Sequence, residues 1–96
     1  MMINRIVKMT FREEFVNDFT TVFNTNKHLI RGFDGCYGVE LLRDVSNPTI
    51  FFTYSKWEDE ASLEAYRNST LFNEVWSTVK KWFADKPEAW SVEVVL

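Results

Sequence analysis

The 96-residue chain has few of the residues that build disulfides and metal sites. It contains one cysteine, Cys36, and one histidine, His28. A single cysteine excludes an intramolecular disulfide and a thiolate metal cage. One histidine does not supply the usual histidine-rich zinc site. We therefore predict that the protein binds no metal.

Long apolar runs and an excess of positive charge are also missing. No run approaches the ~20 apolar residues of a membrane span, and the N-terminus lacks the apolar segment of a signal peptide. Eleven Lys and Arg stand against 14 Asp and Glu, for a net charge of -3. Nucleic-acid binding needs a basic patch, and the only local basic cluster is Lys80-Lys81. We expect a soluble cytoplasmic protein that binds neither membranes nor nucleic acid.

Aromatic residues, in contrast, are abundant and concentrated. They make up 17% of the chain, with nine Phe. The stretch from Ile50 to Phe83 holds three of the four tryptophans and two of the three tyrosines, namely Tyr54, Trp57, Tyr66, Trp76 and Trp82. Because such side chains bury much surface and Trp and Tyr each carry one polar group, the stretch indicates a core, an interface or a pocket for a flat ligand.

The first third of the chain reads as a strand followed by a helix. Residues 2–9 alternate and are β-branched, which predicts a strand. Thr10 and Glu13 fit a capping box that would begin a helix. Phe15, Phe19, Val22, Phe23 and Ile30 form one apolar stripe at helical period, and Gly32 is expected to end the helix.

The remaining two thirds predict a hairpin, two helical segments and a last strand. Residues 36–45 and 49–57 alternate around a turn at 46–48, as an antiparallel hairpin does. Asp59 is a suitable N-cap for a short helix through Arg67. Residues 68–70 interrupt that helix. A second apolar stripe from Phe72 to Phe83 predicts another helix, which residues 86–87 are expected to end. Residues 90–96 alternate again as a closing strand.

The predicted order is β-α-β-β-α-β in one domain over residues 1–96. It indicates an α+β, ferredoxin-like fold, in which a four-stranded antiparallel sheet carries its helices on one face. The strand segment 50–54 is apolar on both sides, so its second face also needs cover. We predict a homodimer that packs through the open sheet face.

Several segments carry a family resemblance over essentially the whole chain. They are Asn4-Arg5, the Gly-Phe-Asp-Gly of residues 32–35, and the most specific segment, from Trp57 to Trp76. With these features the chain resembles the antibiotic biosynthesis monooxygenase domain, a family of dimeric α/β barrels. The resemblance implies one of two activities. Cofactor-free branches oxidise anthrone-like polycyclic aromatics to quinones with molecular oxygen, whereas other branches degrade heme.

The heme-degrading branches use an Asn on the first strand, a Trp on the short helix and an axial His on the last helix. In this chain the Asn is present as Asn4, Tyr66 holds the Trp position, and Trp76 holds the axial His position. The only histidine, His28, lies in the first helix. The resemblance therefore argues against heme degradation and implies a protein without a cofactor.

Asn4, Tyr66 and Trp76 are the candidate catalytic residues. The Asn4 amide is suited to donating to a substrate carbonyl or enolate oxygen, but it also suits the start of a strand. Tyr66 and Trp76 are suited to stacking on a flat polycycle, but both also suit a core position, Trp76 especially because it lies in the apolar stripe with Phe72 and Val79. Trp57 is predicted to pack under the helix junction.

Two functions remain open on the sequence alone. The first is a cofactor-independent monooxygenase that acts on a small polycyclic or quinol-type aromatic, as a homodimer. The second is a non-catalytic dimer of the same fold that binds a small apolar ligand or is purely structural. The second gains weight because the sequence offers no convincing proton acceptor. An open cavity between sheet and helices would favour the first.

Overall fold

The computed structural model describes residues 1–96 as a four-stranded antiparallel sheet with helices on one face. The strand order in the sheet is β2-β3-β1-β4. The elements are β1 (Ile3–Thr10), α1 (Val16–Arg31), β2 (Cys36–Arg43), β3 (Ile50–Trp57), α2 (Glu60–Arg67), α3 (Thr70–Val79) and β4 (Glu88–Val92). The predicted ferredoxin-like α+β order is confirmed. No helix has both the length and the apolar character needed to cross a membrane.

The strand register decides which side chains face the helices. Residues directly opposite on antiparallel strands point to the same face, and successive residues alternate. On β1, Val7 pairs with Thr53 and Met9 pairs with Phe51. Met9 and Phe51 are buried against the helices. The odd-numbered positions of β1 therefore face the helices, and the even-numbered positions face the open side of the sheet.

Two apolar clusters hold the helices on the sheet. The larger cluster joins the end of β1 and the start of β3 to α1 and α3, and its buried members are Met9, Phe11, Phe19, Phe51 and Val79. The smaller cluster consists of Ile3, Trp57 and Leu63 and anchors α2. Trp57 is the most buried residue of the chain, with no exposed surface. The predicted position of Trp57 under the helix junction agrees with this packing.

The capping box predicted at Thr10 and Glu13 is wrong. Thr10 is the last residue of β1, and its carbonyl accepts the Ala84 N–H at 2.8 Å. Phe11 continues the extended path: it bridges to Phe83, and its side chain is 1% exposed. A 3-10 turn at residues 13–15 then leads into α1, without a side-chain cap. Burial of Phe11 outweighs the local capping signal, as tertiary packing commonly does.

Helix α3 ends earlier than the apolar stripe from Phe72 to Phe83 predicts. It stops at Val79 and continues only as a 3-10 turn over residues 80–82. Phe83 is extended, and its ring lies 5.3 Å from that of Phe11. The last strand is correspondingly earlier, at Glu88–Val92 rather than 90–96. Packing of Phe83 into the core therefore ends the helix before Pro87 is reached.

The turn between α1 and β2 requires glycine at one position. Gly35 has φ of +83°, and a Cβ there would clash with the side chain of Ser62 on α2. The Gly35 carbonyl accepts the Glu58 N–H at 2.8 Å, which joins this turn to the end of β3. Only glycine combines this backbone conformation with so close an approach. The turn thereby fixes the start of α2, the helix that carries Tyr66.

Candidate functional site

A cavity of about 300 Å³ lies between the helical face of the sheet and the helices. We call it the sheet–helix cavity. Its walls are mostly apolar, which is typical of sites for small organic ligands. Val7, Val39 and Thr53 contribute to the floor, and Tyr66, Phe72 and Trp76 contribute to the opposite wall. Of the predicted site residues, the structure therefore brings Tyr66 and Trp76 together in one cavity.

Two helix caps position these aromatic side chains. The Asp59 carboxylate accepts the Ser62 N–H at 2.8 Å and begins α2, as the sequence predicts. Ser69 caps α3 by accepting the Phe72 N–H at 3.1 Å. The Ser69 hydroxyl also donates to the carbonyl of Tyr66 at 2.6 Å. A single serine thus ties the end of α2, where Tyr66 lies, to the beginning of α3.

The aromatic rings along this wall form a continuous series. Tyr66 stacks on the buried Trp57 with ring centroids 4.8 Å apart. Phe72 meets Tyr66 edge to face at 5.3 Å and stacks on Trp76 at 5.7 Å. Each such pair adds stabilisation beyond the buried area, so the rings help to hold one another in place.

The Tyr66 hydroxyl is chemically available but only as a hydrogen-bond donor. It has no hydrogen-bond partner within the chain, and it is not sealed from solvent-accessible space. Burial, with a smaller contribution from Cys36, raises the pKa of Tyr66 to about 12. The phenol is therefore protonated at neutral pH. It is suited to donating to a ligand oxygen, and it is not a base.

The raised pKa of Tyr66 predicts a loss of stability in alkali. The folded state keeps the phenol protonated up to about pH 12, whereas the unfolded chain ionises near the ordinary value of 10.0. The free energy of unfolding should therefore fall as the pH rises through this window. Urea denaturation below and within the window measures the effect. Tyr66→Phe lacks this contribution, so an equally steep decline in that variant would contradict the prediction.

Asn4 lies apart from the other two candidate residues. It does not line the sheet–helix cavity, although its neighbours Arg5 and Val7 do. Its register partners are Lys56 and Val92, which share the open face of the sheet. Asn4 is buried, but the alternation of β1 turns its amide away from Tyr66 and Trp76.

The sequence interpretation missed the polar residues on the cavity floor. Arg5 and Ser55 both line the cavity and oppose each other on β1 and β3. Arg67, at the end of α2, lies over the same part of the cavity. The sequence does contain a signal for Arg5: it alternates in phase with Val7 and Met9 along the predicted strand. A charged residue in phase with core residues faces the interior.

Two arginines, Arg5 and Arg67, set the charge at this end of the cavity. Burial and the positive charge of Arg67 lower the pKa of Arg5, and Glu64 and Glu60 partly offset this. The only ion pair of the chain joins Arg67 to Glu64 at 3.5 Å. Arg5 instead donates to the neutral hydroxyl of Ser91 at 3.0 Å. Arg5 is thus a partly buried cation without a paired carboxylate.

The cavity does not fit a heme with a histidine ligand. Trp76 lies on the cavity wall, and its indole N–H donates and has no lone pair for iron. His28 is exposed on α1 and does not line the cavity. No group of three His, Cys, Asp or Glu side chains is arranged to hold a metal ion. The expectation against heme degradation accordingly rests on the identity of the residue at position 76.

Comparisons with known proteins agree on the fold. A proposed antibiotic biosynthesis monooxygenase from Nitrosomonas europaea matches with a TM-score of 0.92 at 17% identity, over 98% of this chain and 90% of that one. A conserved protein from Methanosarcina mazei Go1 gives 0.91 at 21% identity, over 96% and 91% of the two chains. A proposed antibiotic biosynthesis monooxygenase from Bordetella bronchiseptica gives 0.88 at 26% identity, over 99% and 98%.

Comparisons by sequence identify one family. A search among curated proteins finds no match. The family model described as antibiotic biosynthesis monooxygenase matches residues 2–77, which include β1 to β3, α1, α2 and most of α3. Since that match covers most of the chain and the resemblance already lay in these segments, the chain belongs to the antibiotic biosynthesis monooxygenase family.

Proposed function

We propose that the protein is a cofactor-independent monooxygenase that oxidises a small polycyclic or quinol-type aromatic in the sheet–helix cavity. The observation that carries the proposal is the apolar cavity of about 300 Å³ with Tyr66 and Trp76 on one wall. Its volume is at the lower end of the range found for small-molecule sites. Family membership supports a monooxygenase, and the substrate class is our inference.

The proposed reaction needs only the substrate and molecular oxygen. An ionised ring carbon passes one electron to oxygen, and the resulting substrate radical and superoxide combine to form a C–O bond. Protonation gives a hydroperoxide. Loss of the remaining hydrogen on that carbon as a proton, with cleavage of the O–O bond, then yields a carbonyl and water. The protein's part is to exclude water, orient the ring and stabilise the anion.

Tyr66 and Trp76 would act by contact with the substrate rather than by proton abstraction. Their rings supply flat surfaces, and the Tyr66 hydroxyl is a free donor for a ring oxygen. Asn4, on the other face of β1, would support the sheet rather than touch a ligand in this cavity. We therefore assign the substrate contacts to Tyr66 and Trp76.

Oxygen consumption tests the proposed function. The protein is mixed with a panel of anthrones and hydroquinones, and oxygen uptake is followed with an electrode while the quinone product is identified by mass spectrometry. We expect turnover by the wild type, a large loss in Trp76→Ala and little change in Asn4→Ala. No uptake with any member, despite binding of the same compounds, would favour the non-catalytic ligand-binding protein instead.

The open face of the sheet supports a homodimer. Leu42, Trp90 and Val92 are each more than 40% exposed on this face. Phe52 and Tyr54 of β3 lie between them, opposite Lys8 and Ile6 of β1. An apolar face of this extent is typical of an interface. We propose that two copies pack sheet to sheet, which would also place Asn4 at the interface.

Light scattering tests the dimer. We expect a mass of twice the 11.4 kDa of one chain, and we expect Phe52→Glu to halve that mass because it places a charge in the apolar face. Thr21→Glu, at an exposed position of α1, serves as the control and should remain dimeric. A wild-type protein that is monomeric at low concentration would contradict the proposal.

A further inference from the structure

We propose that the sheet–helix cavity takes its aromatic ligand as an oxyanion, held by Arg5 and Ser55 on the cavity floor. This inference rests on the proposed function, because it specifies the ionisation state and the orientation of the ligand in the same cavity. The ligand class is a flat aromatic with an anionic oxygen. That oxygen belongs to a phenolate, an enolate or a carboxylate.

The two donors on the cavity floor stand opposite each other on adjacent strands. Val39, Ser55, Arg5 and Ser91 form one rung across all four strands, and each is the register partner of the next. Their side chains share the helical face of the sheet. Within this rung Arg5 and Ser55 both line the cavity. A guanidinium and a hydroxyl therefore stand side by side on an otherwise apolar floor.

The Ser55 hydroxyl is oriented by a hydrogen bond from a neighbouring tryptophan. Ser55 is 8% exposed, and its oxygen accepts the indole N–H of the fully buried Trp57 at 2.9 Å. Its own O–H has no acceptor among the hydrogen bonds of the chain. Because the indole occupies one side of the oxygen, the proton is left to donate to a ligand. Trp57 is thus a positioning residue that makes Ser55 a donor.

Arg5 carries a positive charge that no carboxylate of the chain pairs with. Its only hydrogen-bond partner is the neutral Ser91 hydroxyl, and no carboxylate lies within ion-pair distance of it. Glu64 on α2 forms its ion pair with Arg67, and Glu60 is the first residue of the same helix. A charge-assisted hydrogen bond to an anion is stronger than one to a neutral hydroxyl. A ligand oxyanion would supply the missing partner.

No group that lines the cavity is placed to act as a base. Because burial raises the pKa of Tyr66 to about 12, its phenol is protonated at neutral pH and does not accept a proton there. Glu88 is the only acidic residue that lines the cavity, and as the register partner of Lys8 it has its side chain on the open face of the sheet. A substrate that enters already ionised needs no proton acceptor. The floor donors would favour that form and hold it for reaction with oxygen.

Paired ligands test the inference by isothermal titration at mildly alkaline pH. The probes are 4-nitro-1-naphthol, which is ionised there, its neutral methyl ether, and 2-naphthoate as the carboxylate. We expect the nitronaphtholate to bind the wild type about tenfold more tightly than the ether. Arg5→Gln should abolish that preference while the ether binds as before. Arg5→Lys should retain part of it, and Arg43→Gln, at an exposed position of β2, should retain all of it.

The outcomes separate this inference from the proposed function. A preference for 2-naphthoate alone, lost in Arg5→Gln, supports the oxyanion site with a carboxylate as its ligand. If the ether binds but neither anion binds more tightly, the oxyanion site is overturned and the aromatic cavity stands. If no probe binds the folded protein, both are overturned. Unchanged ether binding in Arg5→Gln also shows that the variant is folded.

Discussion

Thr53→Phe should weaken ligand binding at least about tenfold and reduce oxygen consumption accordingly, while leaving the protein folded. Thr53 lies on β3 between its register partners Val7 and Leu41, in the middle of the cavity floor. A phenyl ring there would occupy space that the fold leaves open, so it would exclude a flat ligand without displacing core side chains. We expect affinity for the aromatic probes to fall by at least about tenfold, since the ring contacts are lost.

The control for this experiment is Thr53→Val, which keeps nearly the same volume. It should bind the same probes with nearly wild-type affinity, because the cavity remains open. Urea denaturation should show that Thr53→Phe is at least as stable as the wild type, since the new ring gains apolar contacts. Binding that persists in Thr53→Phe would place the ligand elsewhere on the protein.

Trp57→Ala should cause the largest loss of stability of any single truncation in the smaller cluster. Trp57 has no exposed surface, packs with Ile3 and Leu63, and stacks on Tyr66. Truncation of a buried Trp typically costs about 3–5 kcal/mol of unfolding free energy. That amount is a large fraction of the total for a domain of this size.

Trp57→Phe is the matched variant, because it keeps an aromatic ring and removes the indole N–H that Ser55 accepts. We expect it to cost less than Trp57→Ala, by urea denaturation monitored with circular dichroism. It should also weaken anion binding, since Ser55 is then no longer held as a donor. A loss below about 1 kcal/mol in Trp57→Ala would contradict the packing role.

The parts of the fold that the sequence predicted correctly depend on local chemistry. The Asp59 cap and the break at residues 68–70, where Ser69 caps α3, are set by side chains that bond to a backbone N–H within three residues. The strand and helix order follows from hydrophobic periodicity, and the sheet order agrees with the fold it indicates. These signals are contained in short segments, so the sequence alone was sufficient.

The errors came from contacts between distant segments. The capping box at Thr10 was locally sound, but Phe11 and Phe83 meet across more than 70 residues and keep both segments extended. The same contact shortened the helix that begins at Thr70. A pairing of this kind depends on the whole fold, so no window of local sequence contains it.

The sequence predicted only part of the candidate site, because the face on which each β1 side chain lies depends on the strand register. Tyr66 and Trp76 both line the cavity, because core and cavity wall coincide on the inner face of α2 and α3. Asn4 and its neighbour Arg5 necessarily face opposite sides of β1. The family resemblance pointed to Asn4, whereas the register placed Arg5 in the cavity. A shift of one residue in a strand exchanges the two faces, so the phase with Met9 was the decisive signal.

The sheet–helix cavity as the ligand site is tested most directly by the indole N–H signals in a ¹H–¹⁵N spectrum. The four tryptophans are assigned by single replacements with Phe, and the protein is then titrated with 1-naphthol. Trp76 lines the cavity, whereas Trp90 lies on the open face of the sheet, where it pairs with Ile6. We expect the Trp76 signal to shift progressively to saturation while the Trp90 signal stays in place. A shift of Trp90 with an unchanged Trp76 would contradict the assignment of the site.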